Sequence, residues 1–356
     1  MKILHIAPFN IAGVPSSFVE AERKIGHHSR LITFSRTARN YPEDICLDLP
    51  MMNPGLLGLA HRIFPRGKVT NRYEPPAAIP RIWQPKNLVE KSLLQVRESL
   101  WKPIISDAYQ KYDIEQFDVI QLDGGMGFFR DGRIIERLKS SGKRIICCYT
   151  GSDLRVRGVI PRIDALSDLN ITVEFDHQKL HPDIHHVMFP FDAERFRPVE
   201  RKKKTLLRIG HAPTSRLAKG SDHIIPIVRQ LQIDYPVRLV LIENLPYDEA
   251  LARKSECDIF IDQLGDLGYG INSLEALAMK IPVCSCLATG FAEHYPDHPF
   301  VVVNETNLRE KLISLINDPE ERQKLGDKGS EWVREHHDAV KVVKRVHRLA
   351  GIATSD

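Results

Sequence analysis

The chain has 356 residues, 42% of them hydrophobic and 27% charged, with a net charge of +4 and a pI near 8.6. That length accommodates two domains of roughly 150 residues each, and the composition is that of an ordinary globular protein. The mild basicity excludes a nucleic-acid-binding tail but suits an anionic substrate or the acidic face of a membrane.

The first strand spans residues 2–7, and a turn-rich loop, 8–17, leads to a helix over about 18–25 that ends at Gly26. A strand at 29–34 completes one βαβ unit. Because the chain enters a strand at once, no signal peptide is expected. No apolar run reaches the roughly 20 residues needed to span a bilayer, so a cytoplasmic protein is expected, with membrane contact at most peripheral. Residues 50–85 mix Pro, Gly and Arg with Leu56, Leu57, Ile63, Phe64, Ile82 and Trp83. They read as an insertion, either packed on the first domain or docking on a membrane.

A helical pattern covers 88–111. Strands follow at 118–122, 144–149, 171–174 and 186–189, with a helix over about 131–140. The run Arg201-Lys202-Lys203-Lys204 reads as a solvated linker. A second alternation then begins: strand 206–210, helix 221–231, strand 238–242, helix 247–254 and strand 258–261. The end is helical from Leu308, with a break near Asp318-Pro319. Alternating strands and helices predict α/β architecture with parallel sheets. The expected organisation is an amino-terminal domain over 1–198 and a second over 199–337, with the tail from about 338 packing back on the first, and ligands held beyond the carboxyl strand ends.

The most informative stretch is Gly268-Tyr269-Gly270-Ile271-Asn272-Ser273-Leu274-Glu275. It follows an apolar strand that ends in Asp262-Gln263. Glycines let backbone approach an anion, and a helix amino terminus offers unpaired N–H groups and a positive dipole end. Glu275 is then placed to accept hydrogen bonds from sugar hydroxyls. Upstream, Arg216 and Lys219 follow a strand at a spacing that lets them converge on one diphosphate. Three more loops follow strands in the first half, at Gly13, at Gly124-Gly125 and at Gly151-Ser152-Asp153; Asp153 reads equally as a turn cap or a substrate contact. The histidines 177, 181, 185 and 186 lack a metal-binding pattern and read as ordinary histidines. The six cysteines read as reduced thiols.

With these pieces in place, the chain resembles the retaining family 4-like group of GT-B fold glycosyltransferases over most of its length. The resemblance rests on Ile6-Ala7-Pro8 through Gly13 to Gly26-His27, on Gly151-Ser152-Asp153-Leu154-Arg155, on Pro190-Phe191-Asp192 with Phe196-Arg197-Pro198, on Arg216 with Lys219-Gly220, on Pro282-Val283, and on Trp332-Val333-Arg334-Glu335-His336. The chain departs from the group at Leu267, Lys280 and Thr150, where relatives carry Glu, mostly Gly, and His. The resemblance implies two Rossmann-like domains with parallel sheets facing a central cleft. It also implies transfer of a sugar, hexosyltransferase-like and with retention, from a nucleotide-diphosphate donor to a carbohydrate or lipid-linked acceptor in glycan biosynthesis. Neither a cofactor nor a metal is expected.

Arg216, Lys219 and Glu275 are the candidate catalytic residues. Gly13, Gly124, Gly125, Asp153, Asp262, Gln263, Gly268, Tyr269, Gly270, Ile271 and Asn272 are the candidate substrate contacts. The alternatives are a GT-B module that binds without turnover and a nucleotide-sugar epimerase. The absence of a dinucleotide fingerprint argues against a nicotinamide oxidoreductase.

Overall fold

The computed structural model describes residues 1–37, 39–52, 80–197, 205–265 and 268–353. Most of the 50–85 insertion, the basic run 201–204, Pro198, Asp266 and Leu267 lie outside the described residues. The chain divides into two compact units, Met1–Pro190 with Ala339–Asp356, and Phe191–Asp338.

The first unit is built on a seven-stranded sheet, ordered β3-β2-β1-β4-β5-β6-β7. Its strands are β1 (Lys2–Ala7), β2 (His28–Thr33), β3 (Ile45–Cys46), β4 (Val119–Asp123), β5 (Arg144–Tyr149), β6 (Leu169–Thr172) and β7 (Ile184–His186), all parallel. The central strands are rich in apolar residues because both faces are covered: every residue of β4 is buried, Gln121 and Asp123 included, and all but the first of β1 and β5. Helix α1 (Val14–Lys24) starts four residues before the predicted position because Pro15, with its fixed φ, suits a first turn. Helix α2 (Leu88–Lys111) is capped by Asn87, whose side chain accepts the Glu90 N–H at 2.8 Å. Helices α3 (Arg133–Ser140) and α4 (Pro161–Leu166) complete the layers, and the last helix, Ala339–Leu349, belongs to the same unit. β6 and β7 each begin two residues earlier than the apolar pattern predicts. Ladder bonds to β5 and β6 carry polar residues such as Asn170 and His185 into the sheet.

The second unit has a five-stranded parallel sheet, ordered β12-β11-β10-β8-β9. These are β8 (Leu207–His211), β9 (Val237–Leu241), β10 (Ile259–Ile261), β11 (Val283–Ser285) and β12 (Val301–Val302). The helices are α5 (Arg216–Lys219), α6 (Ser221–Asp234), α7 (Tyr247–Ser255), α8 (Ile271–Ala278), α9 (Phe291–His294), α10 (Leu308–Asn317) and α11 (Pro319–His336). The predicted break at Asp318-Pro319 is the joint between α10 and α11, where Asp318 accepts the Glu321 N–H at 2.8 Å. Ile209, Ile224, Val228, Leu231, Ile259, Ile261, Leu308 and Leu312 form the core. Lys280, after α8, has φ of 60°, the left-handed region that glycine adopts without strain. Gly326 of α11 lies so close to Lys280 that a Cβ there would fall 2.3 Å from its carbonyl oxygen. Among the described residues no helix is long and apolar enough to cross a membrane.

Candidate functional site

At the carboxyl edge of the second sheet, β8 runs through residues 212–215 into α5, β9 into Glu243, and β10 into Asp262, with the start of α8 alongside. Asp262 is the hub. One carboxylate oxygen accepts from Lys219 Nζ at 2.7 Å; the other accepts from Ser273 Oγ at 2.8 Å and from the Gly270 N–H at 3.1 Å. Burial alone would raise the Asp262 pKa. The Lys219 charge and these donors outweigh it and hold the group below the ordinary aspartate value. Lys219 is thereby fixed beside the first turn of α8, where the N–H groups of Ile271 and Asn272 have no partner within the helix.

Arg216 is the exposed member. Its Nε and one terminal nitrogen donate to the two oxygens of Glu243 at 2.8 and 2.6 Å, a bidentate pair with the Arg216 side chain 57% exposed. Those bonds hold the Glu243 pKa low. Behind the edge, His211 is buried between the Ile261 carbonyl, 2.9 Å from Nδ1, and Ser221 Oγ, 2.8 Å from Nε2. The carbonyl can only accept, so Nδ1 carries the proton. Burial lowers the His211 pKa, so the ring is a neutral brace between β10 and α6.

Glu275 is buried, with one oxygen accepting from Tyr247 OH at 3.0 Å and the other from Lys254 Nζ. Lys254 is itself 2% exposed and donates to Asn272 Oδ1 at 2.8 Å. Asn272 in turn donates from Nδ2 to the Ala212 carbonyl at 3.1 Å. This side of α8 is therefore tied to α7 and to the loop after β8. Tyr269 anchors the other side: its ring stacks on Phe300 with centroids 4.6 Å apart, and its hydroxyl meets His337 Nε2 at 3.1 Å. Gly268 has φ of 81°, which lets the chain turn into this anchor. Gln263 is buried, its carbonyl accepting from the Cys286 N–H at 3.0 Å.

In the first unit the structure brings Gly124 and Asp153 together, a Cβ on Gly124 falling 3.6 Å from Asp153 Oδ2. Asp153 is the cap of its own turn: it accepts from the N–H groups of Thr150, Gly151 and Leu154 at 2.7–2.9 Å, and from Thr150 Oγ1 at 3.2 Å. Gly125 has φ of 57° and packs on Tyr149, whose ring would meet an added Cβ at 2.4 Å. Gly13 is linked instead to Ser16 and Ser17, whose hydroxyls donate to its carbonyl at 2.9 Å. His177 bridges Thr172 Oγ1 and the Gly151 carbonyl, and burial drops its pKa to about 4. Below this edge, His5 lies between Asp123 at 2.9 Å and Glu22 at 3.0 Å, all three buried.

The candidate residues of the second half thus share one sheet edge: Lys219, Asp262 and Gly270 meet at the start of α8, Arg216 stands with Glu243 after β9, and Asn272 in the first turn of α8 and Glu275 one turn on share Lys254. Sequence reading missed Glu243, Tyr247, Lys254 and Ser273. Glu243 carried a readable signal, an acid directly after a strand of the same sheet. Lys254 carried none, since a lysine in the last turn of a helix ordinarily lies at the surface.

No protein-family model matches the chain. Over 138 residues it is 26% identical to an uncharacterized glycosyltransferase of Methanocaldococcus jannaschii, a stretch covering 32% of this chain and 39% of that protein. Sucrose-phosphate synthase from Thermosynechococcus elongatus superposes with a TM-score of 0.62 at 14% identity, covering 98% of each chain. Anabaena HepE in complex with UDP and glucose gives 0.60 at 12% identity, over 99% of each. A glycosyltransferase from Rickettsia africae gives 0.57 at 11% identity, over 98% of this chain and 97% of the other. At such identities the likeness is one of fold, and it runs the length of the chain: two α/β units on parallel sheets, the GT-B fold.

Proposed function

We propose that the chain is a glycosyltransferase that takes a sugar from a nucleoside-diphosphate donor and passes it to a carbohydrate or lipid-linked acceptor. The observation that carries this reading is the Lys219–Asp262–Gly270 constellation at the start of α8, with Arg216 on the same sheet edge. Lys219 spends one of its three donors on Asp262, and Arg216 spends two of its three nitrogens on Glu243. The remaining donors, with the first-turn amides of α8, suit a diphosphate. The bidentate Glu243 and the buried Asp262 act as positioning residues that set where those cations stand.

In the reaction the bond between the anomeric carbon and the diphosphate oxygen breaks, and the acceptor oxygen bonds to that carbon. The acceptor proton passes to the departing phosphate, with retention and without a metal. Lys219, Arg216 and the α8 amides stabilise the charge that grows on the leaving diphosphate, an electrostatic contribution that is usually the largest in such catalysis. Glu275, held by Tyr247 and Lys254, keeps lone pairs for the donor's sugar hydroxyls. HepE crystallises with UDP, with UDP and glucose, and with UDP-glucose, which supports uridine nucleotides as the first donors to try.

The test is calorimetric titration with UDP and UDP-glucose, followed by assay of donor hydrolysis. Binding with slow release of glucose is the expected result. A chain that binds no nucleoside diphosphate at all lacks this function.

A further inference from the structure

Among the described residues of the first unit, three arginines have buried nitrogens with no hydrogen-bond partner: Arg97 Nε and Nη2, Arg130 Nε and Nη1, and Arg157 Nη2. A buried cation is expensive unless a carboxylate or a network of acceptors surrounds it. The fold supplies that elsewhere: Arg155, two residues before Arg157, donates to Glu174 at 2.7 Å and to both oxygens of Asp176 at 2.7 and 2.5 Å. The contrast within one turn marks Arg157 as a group with its charge still to be met.

A chain of contacts joins the three into one neighbourhood. Arg97 and Glu98 are adjacent on α2. Glu98 accepts the Arg130 N–H at 3.3 Å and lies 3.9 Å from its Nη1. The Arg130 guanidinium covers the Trp83 ring at 5.2 Å, and the Trp83 N–H donates to the Val159 carbonyl at 2.8 Å. Val159 follows Gly158, whose carbonyl takes the Arg157 Nε at 3.0 Å. Gly158 is required there, because with φ of 85° a Cβ would fall 2.1 Å from the Arg81 carbonyl oxygen. The cations repel one another: burial first, then Arg97 and Arg157, depress the Arg130 pKa to about 9.

Two of the guanidinium faces are occupied, and each of the three groups keeps at least one edge donor without a partner. Arg97 covers Trp101 at 4.5 Å as Arg130 covers Trp83, and the unpartnered atoms are the N–H donors around the rims. Arg97, 6% exposed, has almost no access to bulk water. Rim donors on planar, stacked guanidinium groups match a tetrahedral oxyanion in geometry. Among the described residues Glu98 is the carboxylate in contact with the cluster and Glu90 also acts on Arg130, so the three cations keep an excess of positive charge that suits a phosphate. Arg130 and Arg157 lie on the loops that follow β4 and β5, the same loops that carry Gly124, Gly125 and Asp153.

We infer that Arg97, Arg130 and Arg157 form a binding site for a phosphate group on the first unit. Resting on the glycosyltransferase reading, the ligand that carries this phosphate is the acceptor. Free phosphate shares the chemistry, and the two sources are separable.

The experiment is calorimetric titration of the full chain with inorganic phosphate and with phenyl phosphate, in saturating UDP, for the wild type, Arg130→Gln and Arg157→Gln. A separate titration with UDP alone reads the donor site. The expected result is phosphate binding by the wild type and a loss of about tenfold or more in each variant, with UDP affinity unchanged. Thermal unfolding without ligand checks that each variant is folded, since Arg130 also stacks on Trp83 and lies near Glu98, and Arg157 donates to the Gly158 carbonyl. Tighter binding of the ester than of the free ion identifies a phosphorylated ligand; equal binding identifies phosphate itself. The site is overturned if the wild type binds neither probe or if both variants bind as the wild type does. Failure of UDP alone to bind would sink the donor reading and leave the arginine comparison readable.

Discussion

Beneath the carboxyl edge of the first sheet, His5 spends both ring nitrogens on Asp123 and Glu22, and Glu22 spends its oxygens on His5, Ser29 and His347. At the edge of the second sheet Lys219 and Arg216 are each paired with one carboxylate and keep donors in hand. Both regions display ion pairs on parallel sheets, yet around His5 and Glu22 the donors and acceptors are spent on one another, with His347 Nδ1 left over, and the other set is open. The lesson is to count the hydrogen-bonding capacity left after pairing. A closed network holds a fold together, and an open one can still meet a ligand.

The comparison breaks most sharply at Glu22. Glu22→Ala strands a buried His5 and should cost about 3–5 kcal/mol of stability by urea unfolding, with UDP binding in the surviving folded protein unchanged. A loss below about 1 kcal/mol would mean that the network does not hold the first unit. Lys254→Met is next: it leaves Glu275 buried without its cation and should cost about 3–5 kcal/mol. Lys254→Met with Glu275→Leu should recover most of that while still weakening UDP. Recovery of both, or of neither, would misassign Glu275.

Protonation sharpens the same contrast. Glu22, lowered from 4.5 to about 2, contributes stability that is present above pH 4.5 and lost as pH falls toward 2. Burial opposes this shift, and the His5 charge with the surrounding hydrogen bonds overcomes it. His5, raised from 6.5 to about 10, contributes stability that is full below pH 6.5 and lost as pH rises through 10. There too burial opposes the shift, and Glu22 and Asp123 overcome it. The first unit should therefore be most stable between about pH 4.5 and 6.5. Hydrogen exchange of the last helix across pH 3–10 measures this, and a flat profile in Glu22→Gln is the matching control.

Gly125→Ala should cost about 1–3 kcal/mol, through left-handed φ and the Tyr149 ring; thermal unfolding reads it. Arg216→Ala with Lys219→Ala should act selectively on binding, weakening UDP on the order of a hundredfold while leaving uridine nearly untouched; it should also cost stability, because buried Asp262 loses its cation and keeps only the Ser273 hydroxyl and the Gly270 N–H. Equal losses for both ligands would rule out a diphosphate clamp.

Much of the fold was legible because parallel strands buried on both faces must be apolar, and β1, β4, β5, β8 and β10 stand out as such runs. The two-residue strands β3 and β12 were not, since two residues establish no period. In the site, the glycine-rich turn into α8 was readable from Gly268 and Gly270, which is local backbone chemistry. What those groups bond to was not. Asp153 read equally as cap or contact, and the structure gives it four donors from its own turn. Glu275 read as an open acceptor, and the structure supplies it with Lys254 and Tyr247.

The α/β class, the order of the longer elements and the edge of each sheet at which loops gather can be read from the chain alone. Periodicity, glycines and prolines act over a few residues and leave their marks in the chain. Which charges are answered is settled by folding. Glu22 meets His347 across 325 positions, and Lys254 meets Glu275 across 21. Coulomb's law depends on distance in space and on the surrounding dielectric, and neither quantity exists until the chain has folded.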